Sequence, residues 1–133
     1  MNKLKNPSED RGIRIGAWSI FWVYSGLIVK GAVLRASEIP HFLIGINDKL
    51  IHGVEYFILF WAARYAFTRT RIQKLQHRRV EAAVLYSLFM GSFTEILQLW
   101  VPTRSCDIAD FGADALGTGL AWLMSTLIIR KAK

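Results

Sequence analysis

Near its C terminus the chain holds a 22-residue run, Ile108–Ile129, whose ionisable groups are two aspartates close to its start, Asp110 and Asp114. A helix needs about 20 such residues, rising 1.5 Å each, to cross the hydrocarbon of a bilayer. Three further stretches have a similar character: Ile13–Leu34, Leu50–Phe67 and Val80–Val101. Lys30 and Arg64 fall inside the first two, but near span ends, where a long side chain carries its charge to the headgroups. These runs predict an all-α fold, an integral membrane bundle of four transmembrane helices. One domain over residues 1–133 is expected.

The composition agrees. Hydrophobic residues make up 53% of the 133, above the roughly 45–50% of a soluble domain. The net charge of +7 raises the question of nucleic acid. The basic residues, however, punctuate apolar runs instead of lining an amphipathic surface, so no nucleic acid partner is expected. A single cysteine, Cys106, excludes an internal disulfide and a thiolate-rich zinc site. A cleavable signal peptide is the rival reading of the first run. Its charged lead contains Glu9 and Asp10 and its core is rich in Trp and Tyr, both unusual for a signal peptide.

Orientation follows from where the bases lie. Lys3, Lys5, Arg11 and Arg14 precede the first run; Arg69, Arg71, Lys74, Arg78 and Arg79 fill the loop after the second; Arg130, Lys131 and Lys133 close the chain. That is 12 of the 17 Lys and Arg on one side, against Arg35, Lys49 and Arg104 on the other. Both termini are therefore expected in the cytoplasm, with the chain a multi-pass protein of the inner membrane.

Ionised groups inside hydrocarbon cost about 2.5–3.5 kcal/mol each on insertion scales, so they face one another, a cavity or a ligand. Here they fall at helical spacing. Asp48, His52 and Tyr56 lie at i, i+4, i+8; Glu95 and Gln98 at i, i+3; Asp107, Asp110 and Asp114 at i, i+3, i+7. With four alternating crossings, His52, Glu55, Tyr56, Glu95, Gln98, Asp110 and Asp114 converge on one layer near the extracytoplasmic face. Plainer roles stand beside this one. Asp107 and Asp110 have the spacing of a helix N-cap with an acid at N3. His52 and Tyr56 suit interhelical hydrogen bonds or the aromatic belt, and Asp48 and Lys49 suit a solvated loop. The stripes Ser87–Gly91–Glu95–Gln98 and Asp110–Asp114–Gly117–Ala121 are small enough for close helix packing. Acids outnumber bases in the layer, which calls for protonated carboxyls or a cation among them. One imidazole and loosely spaced carboxylates are a weak metal signature, and no metal or cofactor is assigned.

At these residues the chain resembles the VanZ-like family of small bacterial membrane proteins. The family pattern is D-K-x-x-H-x-x-x-Y in one block, matched by Asp48, Lys49, His52 and Tyr56. The other block is E-x-x-Q-x-x-x-P-x-R-x-x-D-x-x-D followed by A-N-x-x-G. Glu95, Gln98, Pro102, Arg104, Asp107, Asp110 and Gly117 match it. The likeness spans Ser37 to Met124. Asp114 stands where the family has Asn, and Ala121 where it has a second Gly; the first span matches in character only. The resemblance implies a multi-spanning inner-membrane fold and a link to the cell envelope. The family's namesake is associated with low-level resistance to the lipoglycopeptide teicoplanin.

The expected function is a non-enzymatic envelope protein. Its outward polar layer would bind a lipid headgroup, a lipid-linked glycan precursor or a membrane protein partner, with a possible effect on glycopeptide susceptibility. The site expected is Lys49, His52, Tyr56, Glu95, Gln98, Arg104, Asp107, Asp110 and Asp114. Lys49 and Arg104 would meet phosphate or another anion. The alternative is a membrane enzyme acting on such a lipid, with Glu95 or Asp110 as general acid/base and His52 as its partner. The sequence shows no convincing nucleophile except water.

Overall fold

In the computed structural model, residues 7–34, 46–102 and 106–131 are described, and all the regular structure among them is helical. The helices are α1 (Pro7–Val33), α2 (Asp48–Thr68), α3 (Gln73–His77), α4 (Arg79–Gln98) and α5 (Ile108–Lys131). α1 begins before the expected span, so the lead from Pro7 onward is itself helical. Glu9 and Asp10 lie in its first turn, where acids suit the helix dipole, and Asp10 pairs with Arg14 at 3.9 Å one turn on. Asn47 caps α2, its Oδ1 accepting from the Leu50 N–H at 3.4 Å. α3, a single turn within the basic loop, was not expected.

α4 ends at Gln98, three residues short of the expected limit. The chain there tightens into i→i+3 bonds: Leu99 donates to Ile96, Trp100 to Leu97 and Val101 to Gln98. Pro102 follows, and the residue before a proline is kept out of the α region.

Among the described residues three helices are long and apolar enough to cross a membrane: α1 from Glu9, α4 and α5. α2 has the length but not the apolar composition, because Asp48, Lys49, His52, Glu55 and Arg64 lie along it. Packing accounts for that composition. α2 touches each of the other helices, most extensively α5, whereas α1 packs on α2 and α4 and does not reach α5. α2 and α4 thus form a central pair with α1 on one side and α5 on the other. Large apolar side chains are exposed along α1, α4 and α5, as at Trp22, Leu27, Phe89, Leu116 and Leu120, and also on α2, as at Leu50, Val54 and Ile58.

Long helices run antiparallel to their chain neighbours. Midway along α1, Trp18 and Phe21 meet Phe67 at the end of α2, with ring centroids 5.9 and 5.6 Å apart. Phe60, Ala63, Ala66, Ala83 and Ala121 complete an apolar core at that end. A second cluster of Ile28, Tyr56, Leu59 and Met90 lies further along. Arg64 does not extend freely from its helix; its guanidinium stacks over Trp61, 5.2 Å from the ring centroid. The far end of the bundle is built differently. There the start of α2, the end of α4 and the start of α5 bury ionisable side chains.

Candidate functional site

The site begins with a close helix crossing. A Cβ placed on Gly117 of α5 would fall on the backbone carbonyl of Gly53 in α2. With hydrogen there instead, the two helices come near enough for side chains on either side of the crossing to bond directly. Gly91 does the same for α4. A Cβ there would lie 3.0 Å from Asp114 Oδ2, so the glycine leaves room for the carboxylate.

Toward the mouth of the layer, the Lys49 ammonium donates to Asp107 Oδ2 at 2.7 Å and also binds Asp110 Oδ1. Asp107 does several things at once. Its Oδ1 accepts from the Ala109 N–H at 2.9 Å, capping α5, and its own N–H donates to Glu95 Oε2 at 3.0 Å. Lys49, followed by the Ala109 N–H, holds the Asp107 carboxyl below the usual carboxylate range. The exposed Cys106 thiol lies beside Glu95; loss of water and then that carboxylate push it up.

Deeper in, His52 Nδ1 and Asp114 Oδ1 are 2.8 Å apart, joining α2 to α5. Tyr56 and Thr94 join α2 to α4 at 2.8 Å. Thr94 Oγ1 also lies 3.0 Å from the carbonyls of Met90 and of Gly91. A hydroxyl carries one proton, so Thr94 donates to its own helix and Tyr56 donates to Thr94.

All of the expected site residues except one lie in this layer. Arg104 falls outside the described residues. Gln98 is buried as the last residue of α4. Glu95, Asp110 and Asp114 are buried, while Lys49 and Asp107 keep contact with the exterior. Sequence reasoning missed Thr94 and Gly53. Thr94 was reachable, since Gly91, Thr94 and Gln98 fall at i, i+3, i+7 on one helix face. Gly53 gave no signal of its own, because a lone glycine in a helical run reveals a crossing only once its partner helix is known.

Two carboxylate oxygens in the layer, Glu95 Oε1 and Asp114 Oδ2, are buried with no hydrogen-bond partner among the described residues. Two overlapping trios bring one ligand atom each within 4.8 Å of one another: Asp48, His52 and Asp110, and His52, Glu95 and Asp114.

An all-helical bundle with three membrane-length apolar helices and a buried ionisable layer at one end is the architecture of a membrane-type protein. The VanZ/LLP1 family model matches residues 10–129, and the chain belongs to that family. No curated protein and no solved structure matches the chain.

Proposed function

We propose that the chain is a multi-pass protein of the bacterial inner membrane that binds a lipid headgroup or a lipid-linked glycan precursor through its polar layer. In this reading α2 is the fourth span, over Leu50–Phe67, sheltered by α1, α4 and α5. Both termini lie in the cytoplasm, with the polar layer facing outward. The carrying observation is the convergence of three sequence-distant helix ends on one buried ionisable layer, while the core toward the opposite end is apolar. Arg14, Arg69, Arg79, Arg130 and Lys131 sit at that opposite end, which the distribution of bases assigns to the cytoplasm.

The pairing pattern changes the expected division of labour. Lys49 is already bridged to two aspartates, so an anionic headgroup would depend on Arg104. The acids would accept from sugar hydroxyls or an ammonium group. Binding requires only such complementary polarity. Catalysis requires in addition an activated nucleophile, and the Cys106 thiol beside Glu95 is pushed up, away from the reactive thiolate.

The test is lipid and precursor analysis of a deletion strain, with binding measured on the purified chain. Altered headgroup or precursor pools and saturable binding, without turnover, are expected, together with a changed susceptibility to teicoplanin. Accumulation of one unmodified lipid-linked substrate, turned over by the purified chain, would replace binding by the enzyme reading with Glu95, Asp110 and His52. An unchanged envelope and no binding would dismiss both.

A further inference from the structure

We infer that His52, Glu95 and Asp114 form a site for a divalent transition-metal ion of the Zn2+ or Mn2+ class. Each residue comes from a different helix, and one ligand atom of each lies within 4.8 Å of the other two. All three are buried, with relative exposures of 8%, 4% and 0%.

The second observation is the pair of free oxygens. Glu95 Oε2 accepts from the Asp107 N–H, with the Cys106 thiol beside the same carboxylate, and Asp114 Oδ1 faces His52; among the described residues Glu95 Oε1 and Asp114 Oδ2 have no hydrogen-bond partner. A buried carboxylate oxygen without a donor bears the full cost of lost hydration. A cation between the two oxygens removes that cost from both at once. The glycine at position 91 sets no Cβ against Asp114 Oδ2 and so lets the carboxylate seat beside α4, on the same helix as Glu95 one turn on.

The donor set narrows the ion. One imidazole and two carboxylates suit Zn2+, Mn2+ or Fe2+, whereas Ca2+ takes six to eight oxygens. The neighbouring trio of Asp48, His52 and Asp110 is the weaker candidate, because Asp110 is engaged by Lys49 and Asp48 is exposed. Three protein ligands leave a coordination position free. If the lipid-binding reading holds, that position would present positive charge to a headgroup phosphate in place of the engaged Lys49.

The purified full chain in detergent, stripped with chelator, is titrated with Zn2+ and Co2+ in the absence of any lipid substrate. Stoichiometric binding is expected, with Co2+ giving visible ligand-field bands. Glu95→Gln and Asp114→Asn should each weaken binding by at least about tenfold, and Asp48→Asn should leave it within about twofold. Helicity and melting temperature identify variants that fold. Asp114→Asn keeps the side-chain size and restores the amide usual in the family pattern. Failure of wild type to bind, or equal binding by a folded Glu95→Gln/Asp114→Asn double variant, overturns the inference. So does loss of binding in Asp48→Asn alone. Because no lipid enters the measurement, these outcomes are independent of the headgroup-binding reading.

Discussion

Gly117 of α5 rests directly on the carbonyl of Gly53 in α2, at the point where the helices with the most extensive contact cross. The crossing sits between the His52–Asp114 bond and the apolar core. It fixes how deeply the ionisable side chains of α5 enter the bundle.

Gly117→Ala should therefore force α2 and α5 apart. Overpacking of this kind typically costs about 1–3 kcal/mol, and the layer above the crossing would open with it. Gly53→Ala is the control. Its Cβ would meet only the Ala113 carbonyl at 3.6 Å, an ordinary contact, and stability should stay within about 1 kcal/mol of wild type. Thermal unfolding in detergent distinguishes them; equal effects would mean that the crossing does not set the packing.

Asp114 makes a cleaner electrostatic case. Asp114→Ala removes the partner of a buried imidazole and should destabilise by about 1–3 kcal/mol. Asp114→Asn leaves a carbonyl oxygen for the His52 Nδ1–H and should cost less than about 1 kcal/mol. If both variants melt alike, the His52–Asp114 bond does not hold α2 to α5.

Asp107 gives a pH dependence with a defined sign. Its folded pKa lies below the unfolded value of about 3.9, held down chiefly by Lys49. The stabilisation from this carboxylate is present above that unfolded value and disappears as pH falls through the lower, folded value. Wild type should thus be more stable than Asp107→Asn at pH 6, with the difference shrinking below about pH 4. Melting curves from pH 6 to pH 2 test this; a difference that grows on acidification contradicts it.

Cys106 serves as a built-in topological probe. It is exposed and the single cysteine of the chain. A membrane-impermeant maleimide should label it from outside intact spheroplasts. Labelling only after permeabilisation would reverse the proposed orientation. Since the thiol is pushed up, the rate should climb with pH above neutrality, and Glu95→Gln should speed it at pH 7.

Much of this was legible in the chain because hydrophobic run length and helical spacing are local properties. The limits of α2 and α5 fall within two residues of those expected, and His52, Tyr56, Glu95, Gln98, Asp110 and Asp114 are buried as their spacing suggested, while Glu55 is only half-buried. Pairing was not legible. Lys49 was expected to meet an external anion, but cross-helix register gives it to Asp107 and Asp110. Glu95 finds a backbone N–H instead of a base, and Tyr56 a threonine instead of an acid. Both alternatives for Asp107 hold together, since it caps α5 with one oxygen and binds Lys49 with the other. The membrane signal of α2 was the hardest to judge, because its polar residues are tolerated through neighbours that a local window cannot include.

That dependence on neighbours reaches back to how the protein is made. A growing chain emits α2 before α4 and α5 exist, so at that moment α1 alone can shield it, and only along one side. The face carrying His52 must wait for Asp114, 62 residues later. In the proposed topology α2 therefore cannot settle in lipid as an independent unit. Its final seating belongs to the last step of synthesis, and chains truncated before α5 should remain open to the translocation machinery and to membrane proteases.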